Sequence, residues 1–243
     1  MRNIFFNLFF IIGFLSYSQE ISGVATYSVK TNYSFKNIKN QQKKELLKSI
    51  FNNLDVVNDR KFQLLFYNNE SIFQGQEGMD VDNSGADFAS ILMKITGVIY
   101  ANTKTKEIIQ TKNKFDKTFR IRKNIDSLKW ILTNEKIVLG NYVCYKAILT
   151  QEAGKKNETI AWYTSEIPIN IGPQGFYGLP GFIVLLQDDI FIYYLENINF
   201  ELSKMQKRII STPTKGLEVS LKQYDSIYKL MRKRKDLMEY GRY

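Results

Sequence analysis

Histidine is absent from the 243-residue chain, and cysteine occurs once. Without histidine there is no Ser-His-Asp or Cys-His nucleophile system and no His-ligated zinc or copper site. A lone cysteine can form neither an intramolecular disulfide nor a thiolate metal cluster. Cys144, with no base to activate it, reads as a small hydrophobe within a strand. Gly-rich phosphate loops of both common types are missing. Prolines number four and hydrophobic residues make up 44%, a balance that argues against disorder. No catalytic residue, cofactor or metal is assigned from the sequence.

Long apolar runs are also missing. The most apolar stretch, Ile4 to Leu15, has 12 residues and is too short to cross a bilayer. It follows Met1-Arg2-Asn3 and precedes Ser16-Tyr17-Ser18, the pattern of a signal peptide cleaved after Ser18. The expectation is export to the periplasm, to the outer membrane or into the medium, with residues 19–243 as a single β-rich domain and no transmembrane segment after cleavage. No cysteine follows the cleavage site, so a lipidated N-terminus is not expected.

Lys and Arg number 34 against 24 Asp and Glu. In an exported protein that surplus points to anionic lipid, lipopolysaccharide or an acidic partner, and not to nucleic acid. The run Lys229 to Lys235 reads as the solvated face of a C-terminal helix.

Periodicity gives the architecture. Ala25, Tyr27, Val29, Tyr33 and Phe35 alternate with polar residues over 21–36, as in a half-buried strand. Over 38–55 the period changes, and Leu46, Leu47, Ile50, Phe51 and Leu54 fall on one helix face. Phe62, Leu64 and Phe66 mark a strand that can pair with 70–75. Residues 97–100 and 107–110 flank a turn and read as a hairpin. Phe119 and Ile121 alternate with arginines. Trp130 to Leu132 and Ile137 to Leu139 read as two short strands. Val143, Tyr145, Ala147 and Leu149 share the inner face of a longer one, followed by Ile160 and Trp162 on the next. Ile190, Ile192, Tyr194, Ile198, Phe200 and Leu202 share a face of another. Residues 219–238 form an amphipathic helix with Leu221, Tyr224, Tyr228 and Met231 on one side. With no βαβ rhythm, the fold class is mainly β: a large curved antiparallel sheet or half-barrel, with an early helix and a C-terminal helix. A helix across the concave face would make it similar in outline to the half-barrel of periplasmic lipoprotein carriers.

Acidic residues supply no identifiable site. Asp188-Asp189 reads as a hairpin tip. Glu152, Glu158 and Glu166 lack the spacing that would identify a pair, and a carboxylate hydrolase needs two acids set apart in space. Asp80, Asp82, Ser84 and Gly85 partly resemble a calcium loop, but Ile91 stands where a bidentate Glu is required, so this is read as a polar surface loop.

The most specific segment runs from Gly172 to Val184, GPQGFYGLPGFIV. Pro180-Gly181 reads as a type II turn, because proline presets φ at its second position and glycine tolerates φ > 0 at its third. Phe182 to Leu186 then reads as a buried strand. The segment resembles the signature of the GLPGLI family, exported proteins of Bacteroidota with an undefined biochemical role. Ala161-Trp162-Tyr163-Thr164, Ile167-Pro168 and Gly172-Pro173 resemble the family pattern upstream, and Tyr142, Cys144, Lys146 and Ala147 resemble its preceding strand. Phe182 stands where the eponymous motif has Leu. The resemblance covers roughly residues 140–187 and implies compartment and fold.

Within this motif, Gly172, Pro173, Gly178, Pro180 and Gly181 are read as architecture. Trp162, Phe176, Tyr177, Leu179 and Phe182 are the candidate binding residues, with Phe176, Tyr177 and Leu179 as an exposed apolar loop. A pocket could also draw on Trp130, Trp162, Phe176 and Tyr177. The first functional expectation is a non-catalytic envelope protein that binds an apolar or amphipathic ligand, or a protein partner, in a cavity. The second is an assembly or accessory factor of an outer-membrane complex, with a filled core. The third is a carboxylate hydrolase.

Overall fold

In a computed structural model, residues 20–31, 61–75, 97–124, 128–150, 158–188 and 191–240 are described. Twelve strands make one sheet: β1 (Ser22–Thr31), β2 (Lys61–Tyr67), β3 (Glu70–Gly75), β4 (Ile99–Asn102), β5 (Glu107–Lys114), β6 (Lys117–Asn124), β7 (Lys129–Leu139), β8 (Tyr142–Thr150), β9 (Thr159–Thr164), β10 (Phe182–Gln187), β11 (Phe191–Asn199) and β12 (Leu217–Ser220). Two helices are described, α1 (Lys204–Ile209) and α2 (Leu221–Tyr240). The strand order is β12-β6-β5-β4-β3-β2-β1-β11-β10-β9-β8-β7, an open sheet with β12 and β7 at its edges. Neighbours are antiparallel except β12 and β6, which run parallel. The mainly β, curved-sheet architecture expected from the sequence is the one found. The expected helix over 38–55 and the loop at Asp80 to Asp87 lie outside the described residues.

Alternation decides which face each strand buries. The inner face collects Ala25, Tyr27 and Val29 from β1, Phe62, Leu64 and Phe66 from β2, Phe73 from β3 and Tyr193 from β11. Tyr27 and Phe182 stack with centroids 6.4 Å apart, and Phe62 and Phe73 stack at 5.4 Å. Both edges of β1 are paired, to β2 and to β11.

Three segments cover the sheet. The segment 165–181, between β9 and β10, lies on the inner face: Ile167, Ile169, Ile171, Tyr177 and Leu179 belong to the main apolar cluster. The amphipathic helix α2 packs Tyr224, Ile227, Tyr228 and Met231 on Phe119, Ile121 and Val219. By register Phe119 and Ile121 share a face with Lys112, Gln110 and Ile108, so α2 covers the inner face only at the β6–β12 end. Among the described residues, the middle of that face is crossed by 165–181. The outer face carries a smaller cluster of Ile72, Tyr100 and Ile109. Residues 203–216 return across it from β11 to β12: Lys207 stands 3.6 Å over the Tyr67 ring, and Arg120 donates to the carbonyls of Pro213 (3.1 Å) and Gly216 (3.3 Å). Ser203 and Gln206 form a capping box at the start of α1.

Several strand assignments need correction. Trp130 to Leu132 and Ile137 to Leu139 belong to one strand, β7, whose pairing with β8 shifts register between Leu132 and Lys136. That bulge breaks the alternation that sequence reading relies on. Val143 is exposed, whereas Tyr145 and Ala147 do meet the core. On β9 the core residues are Ala161 and Tyr163, which puts Ile160 and Trp162 on the outer face. On β11 the core takes Phe191 and Tyr193, with Ile192 and Tyr194 outward. A register shift beside Thr26 and Tyr27 then brings Ile198 inward opposite Ala25. Leu221 is exposed at the first turn of α2.

Candidate functional site

The Gly-Pro-rich segment is a strap held by backbone hydrogen bonds. The Ile183 amide donates to the Ile171 carbonyl (3.1 Å), and the Gly178 amide donates to Asn170 (3.3 Å). Pro173-Gln174-Gly175 makes one 3-10 turn, closed by the Phe176 amide on the Pro173 carbonyl (3.1 Å). Gly172 sits where a Cβ would stand 2.5 Å from Ile183 Cδ1, so no larger residue fits between strap and sheet.

The corner at Pro180 is tighter than expected. The Gly181 amide donates to the Leu179 carbonyl (2.8 Å), a three-residue turn around Pro180 in place of the four-residue type II turn. Gly181 does have positive φ, at +154°. Its requirement is also steric: a Cβ there would stand 2.0 Å from the Thr164 carbonyl oxygen. The corner therefore forces the chain directly against β9 before Phe182 pairs with Thr164.

The five candidate binding residues separate. Leu179 is 1% and Phe182 0% exposed, and Tyr177 is buried. The expectation of an exposed loop at Phe176, Tyr177 and Leu179 is thus corrected: the strap lays these residues on a sheet whose inner face needs covering. Phe176 is half-buried against Trp130, with centroids 6.1 Å apart, and Trp130 Nε1 donates to the Tyr177 carbonyl (2.9 Å). Trp162 is on the opposite face, in a cross-strand row with Lys146 and Leu185. Trp130, Phe176 and Tyr177 do meet, without Trp162.

The acids and the thiol have ordinary structural roles. Glu166 accepts from the Val143 amide (2.9 Å), and Asp188 accepts from the Phe191 amide (2.8 Å), closing the turn after β10. Cys144 is buried, and burial pushes its thiol up to about 11. Burial also raises the phenols of Tyr27 and Tyr193, and Tyr27 donates to the Ile183 carbonyl (2.6 Å). No group of three Asp, Glu or Cys suited to a metal occurs among the described residues.

Among the described residues, two accessible surfaces stand out. The first joins edge strand β7 to the outer face beside it. Ile131 and Leu132 are each 53% exposed and Val138 is 70% exposed. Ile131 lies opposite Ile148 and Ile148 opposite Ile160, a row of isoleucines on the outer face beside Trp162. These β7 residues were not singled out by sequence reading. Their signal is that Lys129 to Leu139 carries apolar residues at both parities, as a strand showing apolar groups on both faces must. The second surface is a polar groove of about 540 Å³ between β5, β6, β12 and the start of α2, lined by Lys106, Glu107, Arg122, Lys123 and Glu218. Arg122 grips Glu218 through two bonds (3.0 and 3.2 Å) and also pairs with Glu107. That hydrogen bonding and charge hold the Glu218 carboxyl below its ordinary range.

A family described as a protein of unknown function (Porph_ging) is similar to this chain over residues 149–185, which span β9, the strap and most of β10. No curated protein matches the chain. Among solved structures, PNGF-II in a C2 and in a P21 crystal form aligns with it at a TM-score of 0.53 and 12% identity, over 85% of this chain. The shares of PNGF-II covered are 32% and 33%, so the chain spans about a third of that protein's length. At 12% identity the likeness is one of fold.

Proposed function

We propose that the protein is an exported, non-catalytic component of the cell envelope that binds a protein partner along β7 and the adjoining outer face. The observation that carries this reading is the edge itself. β7 is 11 residues long, is paired on one side only among the described residues, and exposes Ile131, Leu132 and Val138. Exposed apolar edge strands invite a further strand, and natural proteins use them for strand addition when they do not blunt them. Lys129, Lys136 and the bulge limit indiscriminate pairing, which favours a specific partner. The leader at Ile4 to Leu15 and the resemblance to GLPGLI proteins support export. An accessory role in an outer-membrane complex fits this surface. The missing histidine and a thiol that stays protonated support a non-catalytic role.

A second reading, binding of a small apolar or amphipathic ligand, draws on the isoleucine row and Trp162. It has lost its expected location, because the strap occupies the inner face. Native mass measurement of protein purified gently from its own envelope separates the two. A co-purifying protein that Val138→Lys releases, with melting temperature unchanged, is the expected result. A bound small mass lost on organic extraction would replace the partner with a ligand. A clean monomer would overturn both.

A further inference from the structure

Positive charge is gathered at one end of the sheet. Residues 97–124 and 211–240, which form β4–β6, β12 and α2, hold 15 Lys or Arg against 6 Asp or Glu. Residues 128–150 and 158–188, which form β7–β10, hold 3 against 4. The two groups occupy opposite ends of the strand order. The basic surplus therefore belongs to the β4–β6, β12 and α2 end and not to β7–β10.

Three lysines of α2 are displayed on the side away from the sheet. Tyr224, Ile227, Tyr228 and Met231 turn one side of the helix onto Phe119 and Ile121. At 3.6 residues per turn, Lys222, Lys229 and Lys233 fall together on the other side, and all three are exposed. Arg120 and Arg122 are differently placed, since both pair with Glu218. Leu217, Leu221 and Leu230 are also exposed in this region. A soluble polyanion would engage the lysines and leave the leucines in water. A bilayer interface takes both, with anionic headgroups against the lysines and the leucines at the headgroup–acyl boundary.

We propose that the α2–β12 end docks on an anionic phospholipid surface. The test uses mature protein and flotation with vesicles of three parts phosphatidylcholine to one part phosphatidylglycerol, against pure phosphatidylcholine. The expected result is binding to the anionic vesicles alone, lost at high salt. Lys222→Gln/Lys229→Gln/Lys233→Gln should weaken it roughly a hundred-fold, at about five-fold for each cation near the surface. Leu217→Ser/Leu230→Ser should weaken vesicle binding and leave binding to soluble polyphosphate unchanged. Lys129→Gln/Lys136→Gln, at the far edge, should bind vesicles as the wild type does. Melting temperatures of the variants establish that each is folded. Undiminished binding by the triple lysine variant, equal binding to pure phosphatidylcholine, or an equal loss from the far-edge variant would overturn the proposal. Leucine variants with no effect on vesicles would assign this end to a soluble polyanion instead.

Discussion

The strap at 165–181 and strand β7 are both rich in apolar residues, and they spend them differently. The strap turns Ile167, Ile169, Ile171, Tyr177 and Leu179 onto the inner face, with glycines where sheet and strap come too close for a side chain. β7 shows Ile131 and Leu132 on its two faces and Val138 near its end. Trp130 is the one residue that belongs to both, since it sits in β7 and donates to the strap at Tyr177. The difference teaches that the most recognisable segment closes the core, while the exposed apolar edge has no motif.

Substitutions in the two regions should therefore differ in kind. Phe182→Ala removes a fully buried ring that stacks on Tyr27, and should cost about 4 kcal/mol in denaturant unfolding. Gly181→Ala drives a Cβ into the Thr164 carbonyl and should cost about 3 kcal/mol; a loss below that of an ordinary glycine substitution would break the account of the corner. Trp130→Phe keeps a ring against Phe176 and removes one hydrogen bond, so a loss of about 1 kcal/mol is expected. Val138→Lys should change stability by less than about 0.5 kcal/mol, since the Val138 side chain is largely exposed. A large loss there would mean that β7 is not a free edge, and the comparison would fail.

A pH titration sharpens the core side of the comparison. The Cys144 thiol is raised to about 11 in the fold from an ordinary value of 9.0, chiefly by burial. A raised folded pKa favours the fold below the unfolded pKa, so this contribution should be complete below pH 9 and decline towards pH 11. Cys144→Ala should flatten the fall of melting temperature over that window. Thiol reagents should react slowly at pH 8, and rapid labelling of the folded protein would contradict the burial.

Legibility in the sequence followed how local each feature is. Strand β1 alternates strictly and β2 does so at Phe62, Leu64 and Phe66, because that face of each is buried in the main cluster, and Ala25, Tyr27, Phe62 and Leu64 could be read directly. β7 was read as two strands because a bulge interrupts its parity. β12 was absorbed into the C-terminal helix, since Leu217–Ser220 is only four residues long and Ser220 and Gln223 then cap α2. The motif declared a rigid glycine-proline corner correctly. Which residues it would bury depends on the sheet beneath, and spacing along the chain does not carry that. Trp162 looked like a site residue because it is large and near the motif, yet its parity sets it on the other face.

The position of β1 bears on how the chain reaches this fold. Strands β2 to β6 follow one another away from β1 across one half of the sheet, and β7 to β11 follow one another towards it across the other. β1 is the seam between them, and its partner Ile198 lies some 170 residues from Ala25. Each half can zip up through neighbouring hairpins, while the seam must close a long loop whose entropic cost is met late. Until β11 has emerged, β1 has a neighbour on one side only. A chain built this way gains its full cooperativity only when nearly all of it is present.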